Sequence, residues 1–196
     1  MSIYRLSHPD NMIAALDLDV FVIASQIAKE SQYTIDELIS NLMSKSCQDN
    51  SIRKFFNGEL QCDFHSEYTL EPDIIMVGDY LVMSLSVYEK LYPIIVNYGE
   101  FIPLKTNRGD MMLFNTLVYG KEDLQLTEVK YIDGFESGLS SLVFLDDDVT
   151  TKSLYRSNLE GGNLIYCNET FYKAVHLNNY TGLTFYKDLI SIFPEE

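Results

Sequence analysis

Residues 74–119 read IIMVGDYLVMSLSVYEKLYPIIVNYGEFIPLKTNRGDMMLFNTLVY, and this stretch decides the fold class. Short apolar runs at 74–76, 80–83, 100–104 and 111–119 are separated by turn residues, which is typical of β-strands. Between the second and third runs, residues 86–92 have the spacing of a short helix that begins at Ser86 and stops at Pro93. The stretch therefore predicts strands interrupted by one helix.

The same pattern of short apolar runs extends outward from this stretch in both directions. Residues 3–8 read as an opening strand, and Asn168 can cap a helix over residues 168–177. Thr34 and Glu37 form a capping box before apolar residues at helical spacing, which predicts a helix to about Ser46. The remaining predicted strands cover residues 124–132, 142–145, 164–166 and 183–186.

Together these elements predict an α+β fold with a β-rich core of short, mainly antiparallel strands and several short helices. We expect an N-terminal helical or mixed part over residues 1–60 and a β-rich domain over 61–196, packed as one compact unit. The chain of 196 residues is long enough for one well-buried domain.

The charge of the chain is strongly negative and unevenly distributed. The net charge is −15, and residues 55–89 contain seven carboxylates and no Lys or Arg, while residues 131–151 contain five and again no basic residue. Acidic proteins are often simply soluble. The concentration of carboxylates in stretches without Lys or Arg nevertheless indicates a face that attracts a basic partner.

The predicted partner contacts are the carboxylates of these two stretches, chosen on charge alone. Tyrosines that flank the acidic loops, Tyr68, Tyr80 and Tyr131, are candidate interface anchors, although each single tyrosine is more typical of a core. The predicted carboxylate contacts are Asp146, Asp147, Asp148, Asp133, Glu136, Glu67, Glu71 and Asp79.

Composition argues against several other classes of partner and location. Only 14 Lys and Arg residues are present, so direct nucleic acid binding is disfavoured. The N-terminus lacks a signal-peptide pattern and no apolar run approaches the length of a membrane span, which predicts a cytoplasmic protein with no membrane contact. Three widely spaced cysteines fit reduced thiols in a cytosol.

The sequence contains no recognisable catalytic or metal-binding motif. The chain has three His and no Gly-x-Ser-x-Gly elbow, and no second pair of ligands follows Cys62 and His65 to complete a zinc site. Three consecutive aspartates on an extended segment would point in alternating directions, so they rarely share one ion. We therefore predict no catalytic residue, no metal and no cofactor.

Two segments resemble a known family in their order and pattern. The first contains Glu71-Pro72-Asp73-Ile74, a strand into Ser84, the helix over 87–91, Phe101-Ile102-Pro103-Leu104 and the strand over 111–119. The second contains Leu164-Ile165-Tyr166-Cys167, a helix with Lys173, and Thr181-Gly182-Leu183-Thr184-Phe185. Across about residues 70–190 the chain resembles bacterial immunity proteins that are encoded beside polymorphic toxins.

This resemblance implies a non-enzymatic antidote that binds a cognate toxin domain, expected to be basic, in the cytosol. The family shares no catalytic residues, so the resemblance transfers none, and the oligomeric state stays open. Two other hypotheses remain at this point. One is a metal-dependent hydrolase built from scattered carboxylates, and the other is an acidic inhibitor that mimics nucleic acid.

Overall fold

The computed structural model describes residues 2–9, 15–44 and 50–190, and within these ranges it is an α+β protein with mainly antiparallel sheets. This confirms the predicted fold class. The strands are Ile3–Ser7 (β1), Leu60–Gln61 (β2), Ile74–Val77 (β3), Tyr80–Ser84 (β4), Gly99–Thr106 (β5), Gly109–Thr116 (β6), Glu128–Ile132 (β7), Phe135–Ser141 (β8), Leu154–Arg156 (β9), Ile165–Asn168 (β10) and Thr184–Tyr186 (β11). The helices are Val20–Glu30 (α1), Ile35–Leu42 (α2), Leu85–Ile95 (α3), Asp146–Val149 (α4) and Glu169–Leu177 (α5).

The strands form two larger sheets and one separate hairpin. The central sheet has the order β2-β5-β6-β4-β3, and only the short β2 runs parallel to its neighbour. The terminal sheet has the order β11-β1-β10-β9 and is antiparallel throughout. Strands β7 and β8 pair only with each other.

Both faces of the central sheet are buried, which explains its continuous apolar runs. Because side chains alternate along a strand, Ile75 and Val82 face one way while Ile74 and Leu81 face the other. The first face packs against α1 and α2. The second face packs against α3, α5 and one side of the terminal sheet. The other side of the terminal sheet packs with Phe144 and its neighbours.

Two of the predicted helix starts are confirmed by their caps. Thr34 accepts from the Glu37 N–H while the Glu37 carboxylate accepts from the Thr34 N–H, so the capping box is present. Asn168 accepts from two N–H groups at the start of α5. Helix α2 ends at Leu42, earlier than predicted, and the predicted end at Ser46 lies outside the described residues.

The prediction that Pro93 stops helix α3 is wrong. The helix begins one residue earlier than expected, with Ser84 as its N-cap, and runs through Pro93 to Ile95. Val87, Leu91 and Ile95 are buried on one face of this helix. Burial of that face compensates for the backbone hydrogen bond that proline cannot donate.

Several strand boundaries also differ from the prediction. Residues 124–126 form a turn, so the strand predicted over 124–132 is confined to β7. No strand forms over 142–145, where Phe144 makes only an isolated bridge to Glu122. Strand β6 ends at Thr116, before the predicted end at residue 119. Strands β2, β8 and β9 were not predicted.

The chain segment before residue 60 contributes to both sheets' packing. β1 pairs with β10 and β11 in the terminal sheet, and α1 and α2 share a core cluster with the central sheet. The domain boundary between residues 60 and 61 stays a prediction. Limited proteolysis would test whether the two parts fold independently.

Candidate protein-binding surface

The β7–β8 hairpin pairs with no third strand in the described part of the chain. Asp133 and Gly134 form its two-residue turn, with φ of 52° and 84°. These positive φ values are those of a hairpin turn whose twist matches the paired strands, and Asp-Gly is a favoured sequence for it. The turn therefore follows directly from two adjacent residues.

The hairpin exposes large apolar side chains at its end. Phe135 is 77% exposed, Tyr131 61% and Ile132 51%. We call residues 131–136 the hairpin tip. Only Leu139, nearer the base, packs against the core cluster behind the terminal sheet. An isolated two-stranded hairpin is at best marginally stable in water, so this tip is held out mainly by its base.

Acidic groups lie beside the apolar side chains of the tip. Ile132 lies opposite Phe135, and Tyr131 lies opposite Glu136. Asp133 adds a second carboxylate at the turn itself. The tip thus combines apolar area with negative charge, which is a suitable composition for contacting a basic partner.

Six of the eight predicted carboxylate contacts are exposed, and they lie in three regions of the fold. Asp133 and Glu136 lie in the hairpin tip, and Asp146 and Asp147 begin α4. The six exposed carboxylates are Glu67, Glu71, Asp133, Glu136, Asp146 and Asp147.

Asp148 is engaged inside the fold, unlike its two neighbours. Its carboxylate lies 2.6 Å from the Lys152 ammonium and accepts from the Lys121 N–H at 2.9 Å. Burial alone would raise the pKa of Asp148, but these donors hold it below its ordinary value. Asp148 therefore stabilises the local fold, and we do not include it in the candidate surface.

Asp79 is also engaged inside the fold, in a network around Arg156. The Arg156 side chain is almost fully buried and donates to the Asp79 carboxylate at 2.6 Å, to the Asn115 side chain at 3.0 Å and to the Gly162 carbonyl at 2.8 Å. Asn115 in turn donates to Glu100 at 2.8 Å. The network joins β9 of the terminal sheet to the central sheet.

The three candidate aromatic anchors differ in their burial. Tyr80 is 5% exposed and packs in the core, which is the more typical position of a single tyrosine, so it is not an interface anchor. Tyr68 is half-buried and packs against the same core. Tyr131 lies in the hairpin tip and is exposed.

Three carboxylates line one cleft of the fold, and two of them have structural partners. This cleft of about 400 Å³ is lined by Asp17, Asp19 and Asp79. Asp19 caps α1 by accepting from the Val22 N–H, and Asp79 pairs with Arg156. Across the described ranges, no three His, Cys, Asp or Glu side chains lie close enough together to hold a metal ion.

The Cys62 thiol is not activated as a nucleophile. Burial, together with the nearby Asp17 and Asp63, raises the pKa of Cys62 to about 11. A thiol with this pKa stays protonated at neutral pH, whereas the attacking form of a cysteine nucleophile is the thiolate. The hydrolase hypothesis gains no support from this residue.

Sequence reasoning missed three features that organise this surface. The Asp133-Gly134 dipeptide between two apolar runs was a sufficient signal for the β7–β8 hairpin. No comparable local signal identifies Phe135 as exposed. Arg156 has its side-chain partner Asp79 at a separation of 77 residues, which no local pattern reveals.

Comparison with known proteins gives no family for the chain: no protein-family model and no curated protein sequence matches it. Among the described residues, no helix combines the length and apolar character that spanning a membrane requires.

Proposed function

We propose that this protein is an immunity protein that neutralises a cognate bacterial toxin domain by direct, stoichiometric binding in the cytoplasm. The proposal assigns it no catalytic residue. The observation that carries the proposal is the hairpin tip, which holds three large exposed apolar side chains beside Asp133 and Glu136.

Apolar area in the hairpin tip supports affinity. Exposed aromatic side chains that become fully buried in a complex often contribute most of the binding energy. Phe135 and Tyr131 are exposed side chains of this kind, and a hairpin with an exposed turn can enter a concave site on a partner. Insertion of this kind would obstruct the active site of a toxin.

Charge around the tip supports specificity and fast capture. The net charge of −15 and the six exposed carboxylates attract a basic domain from a distance. The same charge opposes association of two copies of this chain through their acidic faces. A basic toxin domain is therefore the partner that fits this surface.

The test is complex formation with the C-terminal domain of a secreted toxin encoded by a neighbouring reading frame. We expect a one-to-one complex in size-exclusion chromatography and a nanomolar Kd by titration calorimetry. The double variant Asp146→Asn, Asp147→Asn should weaken the complex, chiefly through slower association.

A matched control removes two exposed charges outside both acidic stretches, with Glu30→Gln and Asp36→Asn. This control has the same net charge as the test variant, and it should bind like the unmodified protein. Absence of any complex with the neighbouring toxin domain would reject the proposed function.

A further inference from the structure

A second, larger cleft lies between the hairpin and the terminal sheet. Its volume is about 940 Å³. Arg5 of β1 and Lys130 of β7 both line it, together with His8 and Glu160. Cationic side chains are few in this acidic chain, so two of them on one cleft need an explanation.

Arg5 is a buried cation without a polar partner among the described residues. It is 4% exposed, and its Nε is buried with no hydrogen-bond partner. No ion pair or hydrogen bond from the described part of the chain reaches its guanidinium, whose carbon lies 5.2 Å from the centre of the Tyr186 ring. Stacking on a ring satisfies the face of a guanidinium but not its N–H donors.

Arg156 is a second buried arginine of this fold, and its role is structural. It is equally buried, and its two terminal nitrogens donate to Asp79, Asn115 and Gly162. Among the described residues its Nε has no hydrogen-bond partner, like that of Arg5, so the two arginines differ in their terminal nitrogens. Burial of a charge is costly unless the charge is paired and hydrogen-bonded. Arg5 lacks such pairing, although it lines an open cleft that can admit a ligand.

The surroundings of Arg5 suit a negatively charged group. Lys130 of the hairpin supplies a second cation to the same cleft. Two carboxylates also line the cleft, but Asp188 accepts from the Ile190 N–H at 3.0 Å. Burial raises the pKa of the second carboxyl, Glu160, while nearby Arg5 opposes that shift. The Glu160 carboxyl therefore competes with a bound anion for Arg5.

We propose that this cleft binds a small oxyanion, a carboxylate or phosphate group, on the guanidinium of Arg5, with Lys130 as the second contact. Arginine presents paired N–H donors that match both groups. Because Lys130 belongs to the hairpin and Arg5 to the terminal sheet, the bound anion would bridge the two. This proposal does not depend on the proposed function.

The test follows the side-chain Nε–H resonance of Arg5 by NMR in the full chain. Sodium phosphate or sodium acetate is titrated at constant ionic strength against sodium chloride. We expect a saturable shift of this resonance, and comparison of the two salts identifies the preferred group. In calorimetry, Arg5→Met should weaken binding about tenfold or more, because a charge-assisted pair is lost.

Two further variants and one control sharpen the result. Lys130→Gln should weaken anion binding, and Glu160→Gln should strengthen it by removing a competing carboxylate. Lys187→Met removes an exposed cation beside Tyr186 and should change nothing. A shift that never saturates, or equal affinity in the Arg5→Met protein, would mean an adventitious ion only and would overturn the proposal. If the Arg5→Met variant does not fold, the Arg5 resonance of the unmodified protein still shows whether the anion binds saturably at this side chain.

Discussion

Asp146, Asp147 and Asp148 have the same side chain, and their surroundings alone separate their roles. They occupy the first turn of α4, where the sequence had suggested an extended turn. Asp146 and Asp147 are exposed, whereas Asp148 bonds to Lys152 and to the Lys121 N–H. The acidic character of this segment could therefore be predicted from the sequence. Which carboxylates are exposed and which one bonds within the fold could not.

Asp148→Asn should lower the free energy of unfolding by about 1 kcal/mol at neutral pH, because a partly buried ion pair and a charged acceptor are lost. The folded-state pKa of Asp148 lies below its ordinary value of 3.8, so the stabilisation is complete above that value. It is lost as the pH falls through the lower folded-state pKa. Urea unfolding at several pH values measures both effects.

Asp147→Asn is the matched control, since that side chain is exposed in the same helix turn. We expect it to leave stability nearly unchanged at every pH. Equal destabilisation by the two substitutions would show that Asp148 has no special internal role.

At the scale of elements, signals that lie within a few residues were reliable. The Thr34–Glu37 capping box and the Asn168 cap each depend on groups within three residues, and both formed as predicted. Pro93 is also a local signal, but the burial of one face of α3 outweighs it. Tertiary packing decides such cases, and the sequence alone does not give it.

The hairpin should open more readily than the sheets. Its strands are exposed and pair with no third strand, so amides of residues 129–136 should exchange with opening free energies near zero, while those of β4 and β6 should approach the global value. Hydrogen exchange measured by mass spectrometry or NMR checks this expectation.

Complex formation should change the exchange of the hairpin tip. If the tip is the docking surface, its amides become protected when the toxin domain binds, because the ordered complex suppresses local opening. Protection confined to other regions would place the contact elsewhere.

At the scale of the whole molecule, one buried network joins the two sheets. Arg156 of β9 contacts Asp79, which precedes β4, and Asn115 of β6. The partners are separated by 77 and 41 residues. The strands themselves could be predicted from short apolar runs separated by turn residues, but the pairing of the two sheets through these polar groups could not.

Arg156→Met should destabilise the protein by about 3 kcal/mol, because it leaves buried polar groups without their donor. Asp79→Asn should cost less, since the Asp79 side chain is 33% exposed. The double variant should lose less stability than the sum of the two single variants. Chemical denaturation of all four proteins gives the coupling free energy.

The exposed pair Lys173 and Glu169 is the control for that cycle, with side chains 62% and 40% exposed at a distance of 3.2 Å. The coupling free energy of this exposed pair should stay below about 0.5 kcal/mol. A coupling of similar size for the two pairs would contradict the structural role assigned to Arg156.

The central claim is that the hairpin tip carries the affinity for the toxin domain. The most direct test is the Kd of the complex for Phe135→Ser compared with Leu177→Ser, whose side chain is equally exposed at 80% but lies at the end of α5. The account predicts that Phe135→Ser raises the Kd about 30-fold or more and that Leu177→Ser leaves it unchanged. An unchanged Kd for Phe135→Ser in a complex that forms normally would contradict it.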